Sequence, residues 1–491
     1  MKIIIVGGGS AGWMTAATLE SQFPNYQISL IESKNIKTVG VGESTIQQIK
    51  EWIRLLNIED KEFIKETDGS YKLSIKFTDF YKKGESFHYP FGNPDTTNNK
   101  ASLNDWWFKK LIYPETPNSD YADCIFPEQM AFVNENKFNS NVEYAYHFDA
   151  TKFGLWLKNK YCKKINHILD DINTIEQNEK GIISLNNKYK ADLFIDCTGF
   201  KSLLLDKTLK EPFDSYSDML PNDSAWATKI QYTDKEKQLK PYTNCTAIEN
   251  GWVWNIPLWS RIGTGYVYSS KFVDDDKALK EFKNHLGTEE LEFKKIKMRV
   301  GLHNRLWVKN VVAIGLSAGF IEPLESNGLF SVHEFLRILI RNLQREKISQ
   351  WDKDNFNYSC KKIFKEFAEF VAMHYALSHR DDTEYWRSCM NKTWSNELIN
   401  LEESHIEGIQ KAVFLRNNFF HHNPSGGLHS IAAGMNWAPT DISSLKASNK
   451  FDKLLFKETT KNLQNKKDNA FKKIVNEISL FKYLKNNIYN E

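Results

Sequence analysis

Apolar runs separated by glycine-rich turns dominate the start of the chain. The segment KIIIVGGGSAGWMTAATLE (residues 2–20) predicts a buried strand, a glycine turn and a helix. The run QISLIES (residues 27–33) predicts a second strand that ends at Glu32. Two later segments, ADLFIDCTGF (191–200) and NVVAIGLSAGF (310–320), each predict a β-rich stretch that ends in a turn of small residues. This order of elements indicates an α/β fold.

Two patterned stretches stand out in the middle of the chain. In KLSIKFTDF (72–80), alternation puts the apolar side chains on one face of a strand and the polar ones, Lys76 among them, on the other. In GWVWNIPL (251–258), Trp252 and Trp254 share one strand face, and Pro257 marks an edge or a strand end. Such tryptophans can wall a cavity, although simple core filling explains the same spacing.

From about Leu329 the apolar spacing becomes helical. The segments LFSVHEFLRILIRNLQ (329–344), FKEFAEFVAMHYALSHR (364–380) and LINLEESHIEGIQKAVFLR (398–416) predict amphipathic helices. The last third of the chain is therefore expected to be a largely helical layer.

Composition removes several function classes. The 491 residues carry 65 basic and 62 acidic side chains, a net charge of only +3, so the overall balance indicates neither nucleic-acid nor membrane binding. No apolar run has the length of a membrane span. The six cysteines form no CxxC pair and no metal-ligand spacing, which predicts reduced thiols, no metal site and a cytoplasmic location.

The first turn predicts a dinucleotide site. Its glycines match GxGxxG between a strand and a helix, where the backbone can approach a pyrophosphate, and Glu32 follows at the distance of a ribose-binding acid. The residues expected to bind the cofactor are Gly7, Gly9, Ser10, Ala11, Gly12 and Glu32. The next β-rich stretches with small-residue turns come much later, near residues 200 and 315. This arrangement resembles that of flavoprotein monooxygenases that bind FAD. No second GxGxxG follows, so no NAD(P)H site is expected.

Four motifs in order resemble the flavin-dependent halogenases, the family that includes the tryptophan halogenases. They are VGVGEST (39–45), WxWxIP (252–257), FIEPLESNG (320–328) and HYALSHRDDTEYW (374–386). The resemblance covers about residues 1 to 440. It implies that residues 1–330 form a FAD-binding module of the flavoprotein-monooxygenase type with interleaved substrate-side strands and loops. Residues 331–491 would then be a mainly helical region, on the substrate side, that packs on this module.

The resemblance also implies a chemistry. Reduced FAD from a separate flavin reductase, together with O2 and a halide, would yield hypohalous acid that halogenates an electron-rich, indole-type aromatic. Further cofactor-binding residues would be Val41, Gly42, Glu43 and Gly315. The wall on the flavin side would comprise Trp252, Trp254, Ile256 and Pro257, and the backbone of Asn327 and Gly328 would bind chloride or bromide.

Two side chains are expected to carry the chemistry. Lys76, in a stretch similar to the lysine-bearing strand of the family, would receive the hypohalous acid, either as a haloamine or through a hydrogen bond. Glu325 would face the substrate beside it and stabilise the developing cation or help to remove its proton. From the residues alone, Lys76 is by default a solvated side chain, and Glu325 could equally be a carboxylate that complements a helix N-terminus.

The expected substrate pocket departs from that of tryptophan-accepting relatives. Tyr89 and Phe91 match a stacking pair, and Trp437 is expected in the same pocket. Where relatives carry a tyrosine pair that holds the amino acid, this chain has Leu428 and His429. The pattern therefore predicts a preference for indole over free tryptophan, with bromide accepted at least as readily as chloride.

Two other classes of function remain open at the level of the sequence. An aromatic monooxygenase would hydroxylate its substrate directly and would not need the lysine. A flavin-binding protein without oxidative chemistry would need neither Lys76, Glu325 nor the WxWxIP motif. The expected partners are the reductase and a small aromatic substrate, and a homo-oligomer stays open.

Overall fold

The computed structural model describes residues 1–35, 42–94, 105–345, 347–390, 426–437 and 453–490. Its strands, in chain order, are β1 Lys2–Val6, β2 Gln27–Glu32, β3 Glu43–Ser44, β4 Ser70–Lys72, β5 Ser74–Thr78, β6 Ser86–Pro90, β7 Ala145–Phe148, β8 Asn166–Leu169, β9 Ile175–Asn178, β10 Gly181–Leu185, β11 Leu193–Asp196, β12 Phe213–Ser215, β13 Ser224–Ile230, β14 Tyr242–Ile248, β15 Gly251–Pro257, β16 Ile262–Tyr268, β17 Lys294–Lys297, β18 Gly301–His303, β19 Trp307–Val308, β20 Val311–Ala313 and β21 Gly319–Phe320.

A six-stranded sheet contains the strands that the sequence predicts around the glycine turn. Its order is β19-β20-β11-β1-β2-β8, and all pairs except β19–β20 are parallel. The middle strands are fully buried apolar runs, as expected of a parallel sheet covered on both faces. The predicted strands at the start of the chain and within residues 191–200 and 310–320 are confirmed.

A seven-stranded sheet carries the two patterned stretches. Its order is β17-β13-β16-β15-β14-β5-β6, antiparallel throughout except for the parallel pair β14–β5. Strand β15 is central, and Pro257 is its last residue, so the proline marks a strand end. Smaller sheets join β3-β7-β4 and β12-β18-β21, and β9 and β10 form a hairpin.

Helices surround the sheets and fill the described part of the last third. The α-helices span Ser10–Gln22, Ile49–Leu55, Asp60–Glu66, Asp105–Ile112, Asp120–Ile125, Pro127–Asn134, Ala150–Tyr161, Lys235–Gln238, Asp275–Leu286, Phe330–Leu343, Gln350–Ala376, Glu384–Met390, Gly426–Gly434, Lys453–Lys473 and Leu480–Leu484. The helix Ser10–Gln22 is buried between the helices Ala150–Tyr161 and Phe330–Leu343. The helix expected within residues 398–416 lies outside the described residues.

The C-terminal helices pack on two earlier parts of the chain. The helix Lys453–Lys473 packs on the helices between residues 105 and 134, and Lys467 Nζ lies 2.8 Å from Asp120 Oδ1. Further on, the ring of Trp259 stacks on Tyr489 at 4.4 Å and lies 5.7 Å from Phe481. The chain end is therefore anchored by both charge pairs and aromatic contacts.

Candidate functional site

The glycine turn after β1 leaves no room for side chains at Gly7 and Gly12. A Cβ on Gly7, whose φ is +116°, would collide with the carbonyl oxygen of Cys197, and one on Gly12 would collide with the carbonyl oxygen of Gly7. Gly9 caps the helix in an extended conformation, and Ser10 begins it. Backbone N–H groups at this helix N-terminus can therefore approach an anion such as a pyrophosphate.

A cavity of about 390 Å³, open to solvent, borders this turn. Gly8, Ser10, Trp13 and Glu32 line it together with the helix Ala150–Tyr161. The Glu32 carboxylate stands against Gly8, and its Oε2 lies 2.9 Å from His167 Nε2. An oriented carboxylate at the end of β2 is the acceptor that a ribose hydroxyl requires.

A second cavity, also about 390 Å³, opens beyond the last parallel strand. Its lining includes Gly315, Phe320, Asn327, Gly328 and Phe367. It connects with the first turn through Gly315, since a Cβ on Gly315 would lie 2.8 Å from the Cβ of Ala11. The structure thus brings together residues of the first turn and of the segment after the last parallel strand, beside a largely apolar cavity.

The GVGE loop reaches both the tryptophan strand and this second cavity. Val41 lies outside the described residues. The Cβ position of Gly42 is 3.8 Å from Ile256, and that of Gly328 is 3.3 Å from a carboxylate oxygen of Glu43. Burial, reinforced by Asp149, raises the pKa of Glu43 to about 7. Near neutral pH this carboxyl group is therefore partly protonated where it faces Gly328.

Trp252 and Trp254 both point into the buried interior, with ring centroids 6.2 Å apart. The Trp252 indole donates to Glu322 Oε2 at 2.9 Å. The same oxygen accepts from Asn222 Nδ2 at 2.7 Å and from the Tyr375 hydroxyl at 2.7 Å. A buried carboxylate therefore fixes the orientation of one wall tryptophan, a role for Glu322 that the sequence pattern did not reveal. The end of β15 is also fixed by a hydrogen bond, because the carbonyl of Pro257 accepts from Ser70 Oγ at 2.5 Å.

Lys76 does not lie beside Glu325. On β5 it is paired across the sheet with Asn244 and His88, and its side chain is half-buried. Burial, together with the charge of Lys240, lowers its pKa. Side chains alternate along β5 as predicted, so Lys76 lies in a row of polar residues with Asn244 and His88.

Lys72 is the lysine that reaches the site, and sequence analysis missed it. Its side chain is fully buried, and its Nζ donates to Ser326 Oγ at 2.7 Å and to the Thr45 carbonyl at 3.0 Å. Burial lowers the pKa of Lys72 to about 7, although Cys245 and Glu325 oppose the shift. An amine with this pKa is present in both its neutral and its charged form near neutral pH.

The reason for the difference is a change of sheet. Lys72 ends β4, which pairs with β7, whereas Ser74 begins β5, which pairs with β14 and β6. Leu73 lies between them and bonds outside both ladders, donating to Pro241 and accepting from Phe91. Periodicity read across residues 72–80 as one strand cannot show this break.

Glu325 ends a short 3-10 turn, Pro323–Glu325, and is 1 % exposed. Its Oε1 lies 2.8 Å from His374 Nε2, off the axis of an ideal hydrogen bond. The pKa of Glu325 is raised, because burial outweighs the opposing effects of His374 and then Lys72. Within the described residues neither carboxylate oxygen has an aligned hydrogen-bond donor, so the group can accept a proton or stabilise a cation.

The expected stacking pair lies at the same place. Lys72 Nζ is 5.1 Å from the Phe91 ring centroid, and Phe91 lies edge-on to Tyr89 at 6.3 Å. Burial and the charge of Glu325 raise the pKa of Tyr89. The helix Gly426–Gly434 closes on Tyr89 through Gly427, and Trp437 follows this helix, half-buried. Lysine, carboxylate and aromatic rings thus share one buried region.

The turn after Glu325 is shaped by Ser326, whose φ is +59°. Its N–H donates to the carbonyl of Pro323 at 2.9 Å, and the amide Nδ2 of Asn327 donates to the carbonyl of Ile321 at 3.3 Å. Asn327 and Gly328 line the second cavity. A left-handed residue followed by two cavity-lining peptides is the kind of backbone in which N–H groups bind anions.

Within the described ranges, no group of three or more histidine, cysteine or acidic side chains could hold a metal ion. In the same ranges no helix combines the length and apolarity needed to cross a bilayer.

Comparisons with known proteins identify a family and several similar structures. Residues 2–450 match the family model described as tryptophan halogenase. The tryptophan 6-halogenase SttH of Streptomyces toxytricini is 34 % identical over 431 residues, which cover 81 % of this chain and 82 % of SttH. The crystal structure of SttH matches with a TM-score of 0.88 over 98 % of this chain and 99 % of that one, at 30 % identity.

Two further matches have similar coverage. The tryptophan 7-halogenase RebH of Lentzea aerocolonigenes is 34 % identical over 418 residues, 79 % of this chain and 78 % of RebH. The apo structure of VirX1 has a TM-score of 0.90 and 35 % identity, covering 100 % of this chain and 99 % of that one.

Proposed function

This chain belongs to the tryptophan halogenase family of flavin-dependent halogenases, and on that premise we propose that it transfers an oxidised halogen to an electron-rich aromatic carbon. The observation that carries the proposal is the buried Lys72, bound to Ser326 beside Glu325 and the aromatic pair of Tyr89 and Phe91. A monooxygenase that hydroxylates directly would not need a buried lysine at this point.

The described residues fit FAD as the cofactor. The turn from Gly7 to Gly12 offers the pyrophosphate a helix N-terminus, and Glu32 offers the ribose an acceptor. The flat ring system would lie against the largely apolar lining at Gly315 and Gly328. When bound in its reduced form, FAD would supply the electrons that activate O2, and the activated oxygen would oxidise halide to hypohalous acid. A separate flavin reductase would deliver the reduced cofactor.

Lys72 is the residue that we propose to receive the hypohalous acid, in place of Lys76. Two routes balance. The neutral amine can displace hydroxide from the halogen, giving a haloamine and, with the released proton, water. The ammonium form can instead donate a hydrogen bond to the hypohalous oxygen, which then leaves with that proton as water while the arene takes the halogen. A pKa of about 7 populates both forms.

Glu325 completes the substitution in this proposal. As the aromatic carbon bonds to the halogen, positive charge develops on the ring, and a carboxylate beside it stabilises that charge. The ring then loses its proton to the carboxylate, and the electrons of the C–H bond restore aromaticity. The burial of Glu325 next to Lys72 and Tyr89 supports both roles.

Trp252 and Trp254 would separate the flavin site from the substrate pocket. Trp252 is fully buried and oriented by Glu322, and the neighbouring Trp254 is 8 % exposed. Ile256, next along β15, contacts the loop at Gly42. Filling this strand with indoles would keep the aromatic substrate away from the flavin and so disfavour direct hydroxylation.

For the substrate we propose indole or another small electron-rich aromatic. Burial lowers the pKa of His429 to about 3, so this ring is neutral at pH 7 and offers no cation to a carboxylate. Leu428, next to it, is buried and apolar. A free amino acid would lose the hydration of its charged groups without a partner at these two positions. Bromide is expected to serve at least as well as chloride, because it is more easily oxidised.

Mass spectrometry of the reaction products tests the proposal directly. The purified protein is supplied with FAD, a flavin reductase, NADH, air, and chloride or bromide, together with indole, L-tryptophan and substituted indoles. We expect products whose mass and isotope pattern show one halogen, and their amount should follow the halide concentration. Hydroxylated products independent of halide would establish the monooxygenase instead. FAD binding without any product from the panel would favour a non-catalytic flavoprotein.

A further inference from the structure

The partner of Glu325 on the long helix Gln350–Ala376 is a histidine without access to solvent. His374 is 0 % exposed, and its Nε2 lies 2.8 Å from Glu325 Oε1. Its other nitrogen, Nδ1, lies 3.1 Å from the carbonyl oxygen of Val371 on the same helix. Both ring nitrogens are thus committed to oxygen atoms of the protein.

These two contacts fix the number of protons. A carbonyl oxygen can only accept, so Nδ1 must carry a hydrogen. In the neutral ring Nε2 would then be a bare lone pair, and it would face an acceptor oxygen of a carboxylate at 2.8 Å. Two acceptors at that distance repel each other, so one proton must lie between the ring and the carboxylate. It resides either on Glu325, as a carboxylic acid, or on His374, as an imidazolium.

Aromatic rings surround His374. Three phenylalanines enclose it, with ring centroids at 4.7 Å for Phe77, 5.7 Å for Phe370 and 6.4 Å for Phe80. Aromatic rings attract a cation through their quadrupole. The carbonyl oxygen at Nδ1 and the carboxylate at Nε2 also stabilise the charged form of the ring.

We propose that His374 is a positioning residue that carries this proton as an imidazolium and thereby holds Glu325 as a buried carboxylate directed at the substrate. The inference rests on the proposed function, because it explains how a carboxylate in an apolar site is ready to accept the proton of the arene. Oε1 is bound to the cation, and Oε2 is free to act.

The other titratable groups that face this pair come from three strands. Lys72 on β4 acts on Glu325 as a second positive charge. Tyr89 on β6 and Cys245 on β14 also interact with the glutamate charge. Burial raises the pKa of both of these groups, so they stay neutral near pH 7. The charge state of Glu325 is therefore controlled by His374 and Lys72.

Nitrogen-15 NMR of histidine-labelled protein locates the proton without any turnover. The His374 signals are identified by their loss in His374→Gln, with the exposed His379→Gln as the matched control on the same segment. At pH 7 we expect both nitrogens of His374 to be protonated in the native protein. In Glu325→Gln we expect the neutral ring with hydrogen on Nδ1. A neutral His374 in the native protein, or an imidazolium that survives in Glu325→Gln, would overturn the proposal.

The pH profile of kcat provides the functional readout. Gln at position 374 can still donate a hydrogen bond to the carboxylate, but it carries no charge. Loss of an opposite charge at this distance raises a carboxyl pKa by about 1–3 units, so the acid limb of the profile should move up by that amount, with KM for the aromatic little changed. An unmoved acid limb in a folded, FAD-binding His374→Gln would contradict the inference. If the native protein fails to halogenate anything, the proposed function fails, but the NMR result still decides where the proton lies.

Discussion

Lys72 Nζ donates to Ser326 Oγ at 2.7 Å, and this contact joins the end of β4 to the turn that follows Glu325. The amine also donates to the Thr45 carbonyl at 3.0 Å, next to the GVGE loop. One buried lysine therefore touches two of the segments whose motifs indicate the family, and it does so between the cofactor cavity and the aromatic pair. These two oxygen acceptors stabilise the ionisable amine in a buried interior.

The burial of Lys72 has a consequence for stability. Its pKa falls from about 10.5 in the unfolded chain to about 7 in the folded one, so above pH 7 the unfolded state binds the additional proton. Stability from this group therefore rises with pH between about 7 and 10.5. Lys72→Met should raise the free energy of unfolding most below pH 7, at about 1.4 kcal/mol per unit of pKa displacement, and the gain should shrink towards pH 10. Urea titrations at several pH values measure it, and a gain independent of pH would contradict the burial of the charged amine.

The hydrogen bond between Trp252 and Glu322 is expected to contribute to stability. Trp252→Phe removes the indole donor from a buried carboxylate, which costs about 1.5–3 kcal/mol beyond the lost ring contacts. Trp307→Phe is the matched control, because Trp307 is equally buried and its indole nitrogen has no partner within the described residues. Denaturant unfolding of both variants gives the comparison. Equal losses would show that the hydrogen bond adds nothing.

Turnover should depend on a second protein. Since the sequence has a single dinucleotide fingerprint, NADH added to the purified chain with FAD should be oxidised no faster than without the protein. Addition of a flavin reductase should start halide-dependent product formation. Rapid NADH oxidation by this chain alone would refute the two-component account and would revive the monooxygenase.

The pocket predicts a substrate order. Because His429 is neutral and Leu428 apolar, unsubstituted indole should have a higher kcat/KM than L-tryptophan under one halide. Bromide should give rates at least equal to those with chloride. The measurement is a pair of saturation curves for each halide. A clear preference for free tryptophan would mean that other residues bind its ammonium and carboxylate groups.

The fold was largely predictable, but the lysine was not. Apolar runs and glycines locate β1, β2, β11 and β20, because strands of a parallel sheet are buried on both faces. Lys72 and Lys76 stand four residues apart in one apparently continuous strand, and only the change of sheet at Leu73 separates a buried amine from a half-exposed one. Such a change depends on which strands pair, and pairing is set by distant segments.

The partners of the buried carboxylates also could not be predicted from the sequence. The motif FIEPLESNG contains Glu322 and Glu325, and both turn out to be buried. One accepts from Trp252, and the other lies beside His374, about 50 residues later in the chain. A single sequence shows the acids but not their partners, because Trp252 on β15 and His374 on the helix Gln350–Ala376 reach them only in the folded chain.

The most direct test compares two lysines in the same assay. Lys72→Ala and Lys76→Ala are supplied with reductase, FAD, bromide and indole, and brominated product is quantified by mass spectrometry. Retained yellow, bound FAD shows that each variant is folded. The account predicts that Lys72→Ala loses product formation by about a hundredfold or more while Lys76→Ala stays close to the native rate. Product formed normally by Lys72→Ala, or abolished in Lys76→Ala alone, would contradict it.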